Sequence, residues 1–247
     1  MIELYPAIDL QDGRAVRLRQ GDFAQSTVFS DDPVAKAREF AEGGASVLHV
    51  VDLDGARDGQ PVHAALVASI AAAFPGTVHL GGGLRSRAAI ETAMATGVDR
   101  VVVGTAVIED RGLLEWAIDR LGDGLIVGLD ARQGKVATHG WTQVSDRDAV
   151  VVATGLVSMG VRRLIYTDIN RDGTLGGPNL APLRRLAEAA PPLKLIASGG
   201  VSSLDDLRRL RDLGMANLAG VIVGRALYEG RFSVSEGIAA LAARSRA

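Results

Sequence analysis

Short apolar runs alternate with longer segments of helical spacing along the whole chain. Each run is rich in Val, Ile and Leu and is followed by a turn, which is typical of β-strands buried on both faces. The pattern predicts eight strands, at Leu4–Ile8, Val47–Leu53, Thr77–Leu80, Arg100–Val103, Leu125–Leu129, Arg163–Thr167, Lys194–Ala197 and Gly220–Val223.

The segments between the strands repeat apolar residues at the spacing of an α-helix. Several begin with Ser or Asp and stop at Gly, as in "SRAAIETAMATG" and "SSLDDLRRLRDLG", which are the residues that favour helix starts and ends. Eight alternating strands and helices predict the α/β class, and the number eight favours a single closed (β/α)8 TIM barrel over residues 1–247. An open doubly wound sheet would need a glycine fingerprint after the first strand, and "IDLQDGRAV" has the wrong spacing for one.

The second half of the chain repeats the strand ends of the first. "PAIDLQDGRAV" is matched by "IVGLDARQGKV", so Asp9 and Asp130 follow strands 1 and 5, and Asp52 is matched by Asp168 after strands 2 and 6. The repeat predicts two half-barrels, of about residues 1–121 and 122–247. Because the carboxyl ends of barrel strands surround the active-site mouth, we expect Asp9 and Asp130 to face each other across it.

Glycine clusters follow strands 3 and 4 and again strands 7 and 8. Glycine lets backbone N–H groups approach an anion, and a following helix start adds a positive dipole end. One such glycine is usually a turn residue, but four clusters related by the repeat predict two opposed phosphate sites and an elongated substrate with a phosphate at each end. The predicted phosphate-binding residues are Gly82, Gly83, Gly104, Thr105, Gly173, Ser198, Gly199, Gly200, Gly224 and Arg225.

Composition excludes several classes of function. The formal charge is −2, from 27 basic and 29 acidic residues, and without a long basic run it predicts no nucleic-acid or membrane partner. The absence of Cys excludes disulfides, thiolate metal sites and a Cys nucleophile, and it fits a cytoplasmic protein. The N-terminus lacks the features of a signal peptide. The uncharged stretch from Val62 to Leu84 contains Pro75 and three glycines, so it predicts helix, turn and strand and no membrane span.

Long motifs along essentially the whole chain resemble one family. They are "PAIDLQDGRAVRLRQGD", "VDLDGA", "GGGLR", "VGLDARQGKVATHGW", "TDINRDGTLGGPN", "ASGGVSSLDDL" and "GVIVGRALYEG". They are similar to the phosphoribosylformimino-5-aminoimidazole carboxamide ribotide isomerases of histidine biosynthesis. The resemblance implies a (β/α)8 barrel with half-barrel symmetry, a bisphosphate substrate, an Amadori rearrangement of an aminoaldose to an aminoketose, and no metal or cofactor.

The same resemblance implies roles for the paired carboxylates. Asp9 would be the base that removes the proton from C2 of the sugar, and Asp130 the acid that protonates the ring oxygen. An acid and a base on opposite sides of the sugar can perform both steps. The acid must hold its proton near neutral pH, which requires a pKa raised by burial or by the other carboxylate.

Further substrate contacts are implied by positions inside these motifs. Arg17 and Arg85 match substrate-binding positions, and Arg19 is an alternative to Arg17 because strand alternation puts both on one face. Thr167 ends strand 6, and Asp172 lies in a loop suited to closing over a ligand, where it contacts substrate, assists the acid or only forms an Asp-Gly turn. Trp141 either stacks on a flat heterocycle or is structural.

The four histidines carry weaker predictions. His49 and His79 lie within strands and are expected to be satisfied barrel residues, His63 is expected on a helix surface, and no spacing predicts a metal site. His139 stands two residues before Trp141, where relatives that also isomerise phosphoribosylanthranilate carry an Arg for the anthranilate carboxylate. This departure argues for a single substrate, and His139 at the same place is counted among the substrate-binding candidates.

Three alternatives stay open from the sequence. "GTLGGPN" and "ASGGVSSLDDLR" also look like the bifunctional isomerases. The related cyclase of the same pathway, which works with a glutaminase partner, carries a Cys before its first Asp, where this chain has Ala7 and Ile8. A non-catalytic phosphosugar-binding barrel is disfavoured because a carboxylate close to two anions opposes binding. We expect a monomer with a small bisphosphate substrate.

Overall fold

Twelve strands and eleven helices make up the computed structural model, which describes residues 1–138, 140–141 and 143–242. The strands are β1 (Glu3–Gln11), β2 (Arg14–Arg19), β3 (Asp22–Ser30), β4 (Val47–Asp52), β5 (Thr77–Gly81), β6 (Arg100–Val103), β7 (Leu125–Arg132), β8 (Lys135–Thr138), β9 (Gln143–Asp148), β10 (Arg163–Asp168), β11 (Lys194–Ser198) and β12 (Leu218–Val223). The helices are α1 (Pro33–Glu42), α2 (Leu53–Asp58), α3 (Ala64–Ala73), α4 (Arg87–Met94), α5 (Thr105–Glu109), α6 (Arg111–Leu121), α7 (Ala149–Ser158), α8 (Leu180–Ala189), α9 (Leu204–Asp212), α10 (Arg225–Tyr228) and α11 (Val234–Ala242).

Eight strands close into a barrel through parallel pairs. The order around the barrel is β1, β4, β5, β6, β7, β10, β11 and β12, and β12 pairs with β1 to complete the ring. These are the eight strands that the apolar pattern predicts, so the predicted TIM barrel is confirmed. The stretch from Val62 to Leu84 contains α3, a turn and β5, and no described helix is long and apolar enough to cross a membrane.

Two antiparallel hairpins extend from the mouth and were not predicted. β1 continues into β2 and β3, and β7 continues into β8 and β9. The first turn has positive φ at Asp12 and Gly13, and the second at Gln133 and Gly134. Two successive residues with positive φ are typical of the tight turn that fits the twist of a hairpin. The Gly that repeats after Asp9 and Asp130 is therefore a hairpin turn residue, and the basic residue after it begins the next strand.

The apolar core has an inner and an outer part. Alternate strand residues point into the barrel, where they form one cluster of Tyr5, Ala7, Val47, Ile126, Ile165, Ile196 and Ile222. The other strand face packs under the helices, as Ile8, Leu48 and Leu164 do, each with no exposed surface. A rigid barrel packed on both sides fixes the strand ends from which the site is built.

Candidate active site

A cavity of about 590 Å³ opens at the carboxyl ends of the barrel strands. Its lining contains every predicted site residue that the structure describes: Asp9, Arg17, Gly82, Gly83, Arg85, Gly104, Thr105, Asp130, Trp141, Thr167, Asp172, Gly173, Ser198, Gly199, Gly200, Gly224 and Arg225. His139 lies outside the described residues. The volume is in the range of small-molecule sites, so the fold brings residues that are far apart in sequence into one pocket.

Asp9 forms an ion pair with Arg17 of the first hairpin. Nη1 of Arg17 donates to Oδ2 of Asp9 at 2.8 Å, and Nη2 donates to the carbonyl oxygen of Ala7. Burial raises the pKa of Asp9, and the guanidinium of Arg17 opposes that increase. Arg17 thus favours the ionised form of Asp9, whereas burial favours the protonated form.

Arg19, the alternative to Arg17, is exposed and does not line the cavity. The pairing of β2 with β3 shifts register between Arg17 and Arg19. A bulge of this kind breaks the simple alternation of strand faces, so the two side chains do not share the environment that the sequence pattern predicts.

Asp130 is held by neutral donors. The indole Nε1 of Trp141 donates to Oδ2 of Asp130 at 2.7 Å, and a side-chain hydrogen bond from Thr167 also lowers the pKa of the carboxyl group. Burial has the larger effect and raises the pKa of Asp130. Among the described residues, no Lys or Arg forms an ion pair with Asp130, so its environment favours the protonated form more than that of Asp9 does.

Asp172, in the loop after β10, lines the same cavity as these two carboxyl groups. Its pKa is raised to about 7: burial contributes most, the charge of Asp9 adds to the increase, Arg17 opposes it, and Asp130 adds a smaller increase. Three carboxyl groups and one guanidinium therefore interact inside one pocket, and their protons are coupled.

The loops after strands β1, β7 and β10 contact one another at the mouth. The ring of Trp141 packs on Gly21 so closely that a Cβ atom there would lie 2.3 Å from its Cε3. A Cβ atom on Gly173 would lie 2.5 Å from the carbonyl oxygen of Leu18. The backbone N–H of Gln20 donates to the carbonyl oxygen of Asp172 at 3.2 Å. Glycine is required at these two positions because the chains approach at backbone distance.

Matching glycine turns lie on opposite sides of the mouth. Gly82 and Gly83 after β5 have φ of 103° and 73°, and Gly199 and Gly200 after β11 have φ of 97° and 90°. β5 and β11 are four strands apart around the barrel in both directions. Ser86 and Ser203 cap the helices that follow, α4 and α9, in the same way. The turns after β5 and β11 therefore have similar backbone geometry.

Short helices begin directly after Gly104 and Gly224, the other two predicted glycines. Neither α5 nor α10 has a side-chain cap, and the first residues of both helices line the cavity. Thr105 and Arg225 are the first residues of these helices. Nη1 of Arg225 donates to the carbonyl oxygen of Gly173 at 2.8 Å, and its Nε pairs with Glu229.

Arg85 reaches the neighbouring loop. Its Nη2 donates to the carbonyl oxygen of Ala56 at 2.6 Å, and its guanidinium packs on Gly59. The side chain thus lines the cavity while it fastens the loop after β5 to the loop that contains α2.

Two of the predictions for the histidines are wrong. His49 lines the floor of the cavity, and its buried Nδ1 has no hydrogen-bond partner among the described residues, so it is not a satisfied barrel residue. Burial and Arg17 lower its pKa to about 4. His63 is not a surface residue of a helix, because it is half-buried before α3 and its Nε2 lies 2.7 Å from Oδ2 of Asp54.

His79 lies deeper in the barrel than His49. Its Nε2 is 3.0 Å from Nη1 of Arg100, which fits the prediction of a barrel residue, but its Nδ1 has no partner among the described residues. Alternation along β4 places His49 on the same face as Val47 and Val51. Because only the closed ring shows that this face borders the cavity, the sequence pattern alone missed His49.

Comparison with known proteins identifies the family. The family model described as "Histidine biosynthesis protein" matches residues 3–233. A protein of Roseiflexus castenholzii is 52% identical over 97% of this chain and 99% of its own length. Proteins of Chloroflexus aurantiacus and Streptococcus sanguinis are 49% and 43% identical over 96% and 95% of this chain, and over 97% and 96% of their own lengths.

All three relatives carry the name 1-(5-phosphoribosyl)-5-((5-phosphoribosylamino)methylideneamino)imidazole-4-carboxamide isomerase. Their names do not mention phosphoribosylanthranilate, and they give the bifunctional alternative no support. The similarity extends over nearly the full length of each relative and includes the strand ends that build the cavity. The chain therefore belongs to the histidine biosynthesis protein family.

Proposed function

We infer that this protein is an aldose–ketose isomerase that converts N'-((5'-phosphoribosyl)formimino)-5-aminoimidazole-4-carboxamide ribotide to its aminoketose in histidine biosynthesis. The observation that carries the inference is one cavity containing two unlike carboxyl groups, on β1 and β7, between two matching glycine turns. The isomerase names of relatives that match over nearly their full length give the same reaction.

The environments of the carboxyl groups support a division of roles. We propose Asp9 as the base that takes the proton from C2, because Arg17 stabilises its carboxylate form. We propose Asp130 as the acid that protonates the ring oxygen, because burial raises its pKa and its described donors are neutral. A pair of titratable groups in unlike environments is a common basis for acid and base roles.

The order of events follows from that division. A proton from Asp130 opens the ribose ring to an imine, and removal of the C2 proton by Asp9 then gives an enolamine. Return of the proton from Asp9 to C1 and loss of the C2 hydroxyl proton to Asp130 complete the aminoketose and restore both carboxyl groups to their starting forms. Each positioned acid or base typically contributes about 10²–10⁴ in rate. We propose that Asp172, whose pKa is raised to about 7, assists Asp130, because the negative charges of the two carboxyl groups repel each other.

The glycine turns support a bisphosphate substrate. We propose that Gly82, Gly83, Gly104 and Thr105 hold one phosphate, and that Gly173, Ser198–Gly200, Gly224 and Arg225 hold the other. The glycine turns have positive φ, α5 and α10 begin without a side-chain cap, and both kinds of segment line the cavity. Backbone N–H groups at such turns and helix starts are typical phosphate ligands. Fixing both ends would orient the sugar between the carboxyl groups. Arg85, Thr167 and Trp141 are the proposed further contacts.

We further propose that the protein works as a monomer in the cytoplasm. Among the described residues only six large apolar side chains are exposed, which gives little apolar surface for a stable partner. Light scattering at micromolar concentration would test this, and a mass of twice the chain mass would contradict it.

The reaction can be tested directly with the purified protein and the aminoaldose. We expect conversion to a product of the same mass in H2O, and incorporation of one deuterium at C1 of the ketose in D2O if the base exchanges its proton with solvent. Chromatography, mass spectrometry and NMR identify the product, and Asp9→Asn is the matched control. No conversion by the unmodified protein would reject the proposed reaction.

A further inference from the structure

The guanidinium of Arg17 has few polar partners for a buried charge. Its side chain is 11% exposed. Two of its nitrogens donate, to Asp9 and to the carbonyl oxygen of Ala7, while the buried Nε has no partner among the described residues. These two hydrogen bonds leave part of the buried guanidinium without a polar partner, and other contacts also hold it in place.

Those contacts come from the end of the barrel where β12 leads into α10. The guanidinium lies against Gly224, where a Cβ atom would be 2.4 Å from Cζ of Arg17. The ring of Tyr228 lies with its centroid 5.1 Å from the same Cζ. A cation over an aromatic face at this distance is attracted by the ring, and more strongly where water is excluded.

Tyr228 is itself fixed by other aromatic residues. Its ring centroid lies 5.1 Å from that of Phe29 and 5.8 Å from that of Phe40, the second nearly perpendicular. Phe40 is a core residue of α1 with 3% exposure. The Nζ of Lys36 lies 5.5 Å from the Tyr228 ring centroid. The ring is therefore attached to the core beneath α1 and cannot easily turn away from Arg17.

The hydroxyl group of Tyr228 does not explain its position. Its oxygen is buried and has no hydrogen-bond partner among the described residues. A buried hydroxyl group without a partner lowers stability. The favourable contacts of Tyr228 are therefore those of its aromatic ring.

We propose that Tyr228 is a positioning residue that holds Arg17 against Asp9 through its ring and thereby keeps the proposed base ready to accept a proton. This inference rests on the proposed function, and it names no contact between Tyr228 and the substrate. It assigns a role in the chemistry of β1 to a residue at the far end of the chain.

The test compares Tyr228→Leu, Tyr228→Phe and Phe74→Leu in the full-length protein. Phe74 is a core residue with 3% exposure and no described contact with Arg17, so its variant reports general loss of packing. For Tyr228→Leu we expect kcat/KM at pH 7 to fall about 3- to 30-fold, as the loss of a desolvated cation–aromatic contact would cause. We also expect the acidic limb of the kcat/KM profile to move to higher pH, because Asp9 would lose part of the stabilisation of its anion.

Tyr228→Phe should keep both kcat/KM and the limb of the unmodified protein, and Phe74→Leu should lower Tm without moving the limb. An unmoved limb in Tyr228→Leu, equal damage in Tyr228→Phe, or a matching shift in Phe74→Leu would each overturn the proposal. Carboxyl ¹³C NMR titration of Asp9 reports the same pKa change without turnover. It therefore separates failure of this inference from failure of the proposed reaction.

Discussion

The two halves of the barrel share a carboxylate at the same strand end but surround it differently. In the first half, Asp9 is paired with the cation of Arg17 on the hairpin that follows β1. In the second half, Asp130 is bound by the neutral indole N–H of Trp141 on the hairpin that follows β7. Equal backbone positions with unlike partners allow one carboxyl group to favour loss of a proton and the other to favour its retention.

The structural carboxylates of the same two halves behave alike. Asp52 is buried and accepts N–H groups from Gly55, Val62 and His63. Asp168 is buried and accepts from the N–H of Asn170 and the side chain of Asn179. Both hold the loop that follows their strand. The halves therefore agree where the fold needs support and differ where the chemistry needs two roles.

The largest expected effect is the loss of either reacting carboxyl group. Asp9→Asn and Asp130→Asn remove the proposed base and acid, so we expect kcat to fall about 10²–10⁴-fold for each, while binding of the bisphosphate substrate persists. Steady-state kinetics and calorimetric titration measure the two quantities. Near-normal kcat in either variant would mean that this pair of carboxyl groups does not divide the chemistry.

The matching glycine turns give the next largest effect. A Cβ atom on Gly82 would lie 2.1 Å from the carbonyl oxygen of Asp52, and one on Gly199 would lie 2.9 Å from that of Asp168. We expect Gly82→Ala to cost at least about 3 kcal/mol of unfolding free energy and Gly199→Ala about 1–3 kcal/mol, because both positions also have positive φ. Denaturant unfolding measures both. The reverse order would contradict the closer backbone approach at Gly82.

Removing the side chain that donates a hydrogen bond to each carboxyl group tests the difference between Asp9 and Asp130. Arg17→Met removes a charged donor and raises the pKa of Asp9, so we expect the acidic limb of kcat/KM to move to higher pH and activity at pH 7 to fall about 10- to 100-fold. Trp141→Phe removes a neutral donor and raises the pKa of Asp130, so the basic limb should move to higher pH with a loss of about tenfold. If both variants moved the same limb, the assigned roles would be wrong.

The smallest expected effect concerns stability at Asp172. Its pKa rises from 3.8 to about 7 in the folded protein, so ionisation opposes folding and the unmodified protein loses stability as pH rises from about 4 to about 7. Asp172→Asn should remove this loss and gain about 1–2 kcal/mol at pH 8, since the group is only half-buried, and gain nothing below pH 4. Thermal unfolding at pH 4 and pH 8 tests this, and an equal gain at both would contradict it.

Sequence pattern predicted the barrel strands because each is a short apolar run bounded by turns, and it predicted the strand-end residues because parallel strands present one common edge. It missed the hairpins β2–β3 and β8–β9. The turn residues of the first, Asp12 and Gly13, carried a recognisable signal, but β3 is mostly exposed and has no clear apolar alternation. A strand that packs little of its surface leaves a weak pattern.

Local periodicity and residue types repeated along the chain were enough to predict the fold class, the paired carboxylates and the glycine turns. Four features appear only in the folded protein: Arg17 pairs with Asp9, Trp141 binds Asp130, His49 lines the cavity, and the ring of Tyr228 contacts Arg17. Those contacts join residues on different strands and loops. Their energies depend on burial and on distances that only the closed barrel sets, and no local pattern records them.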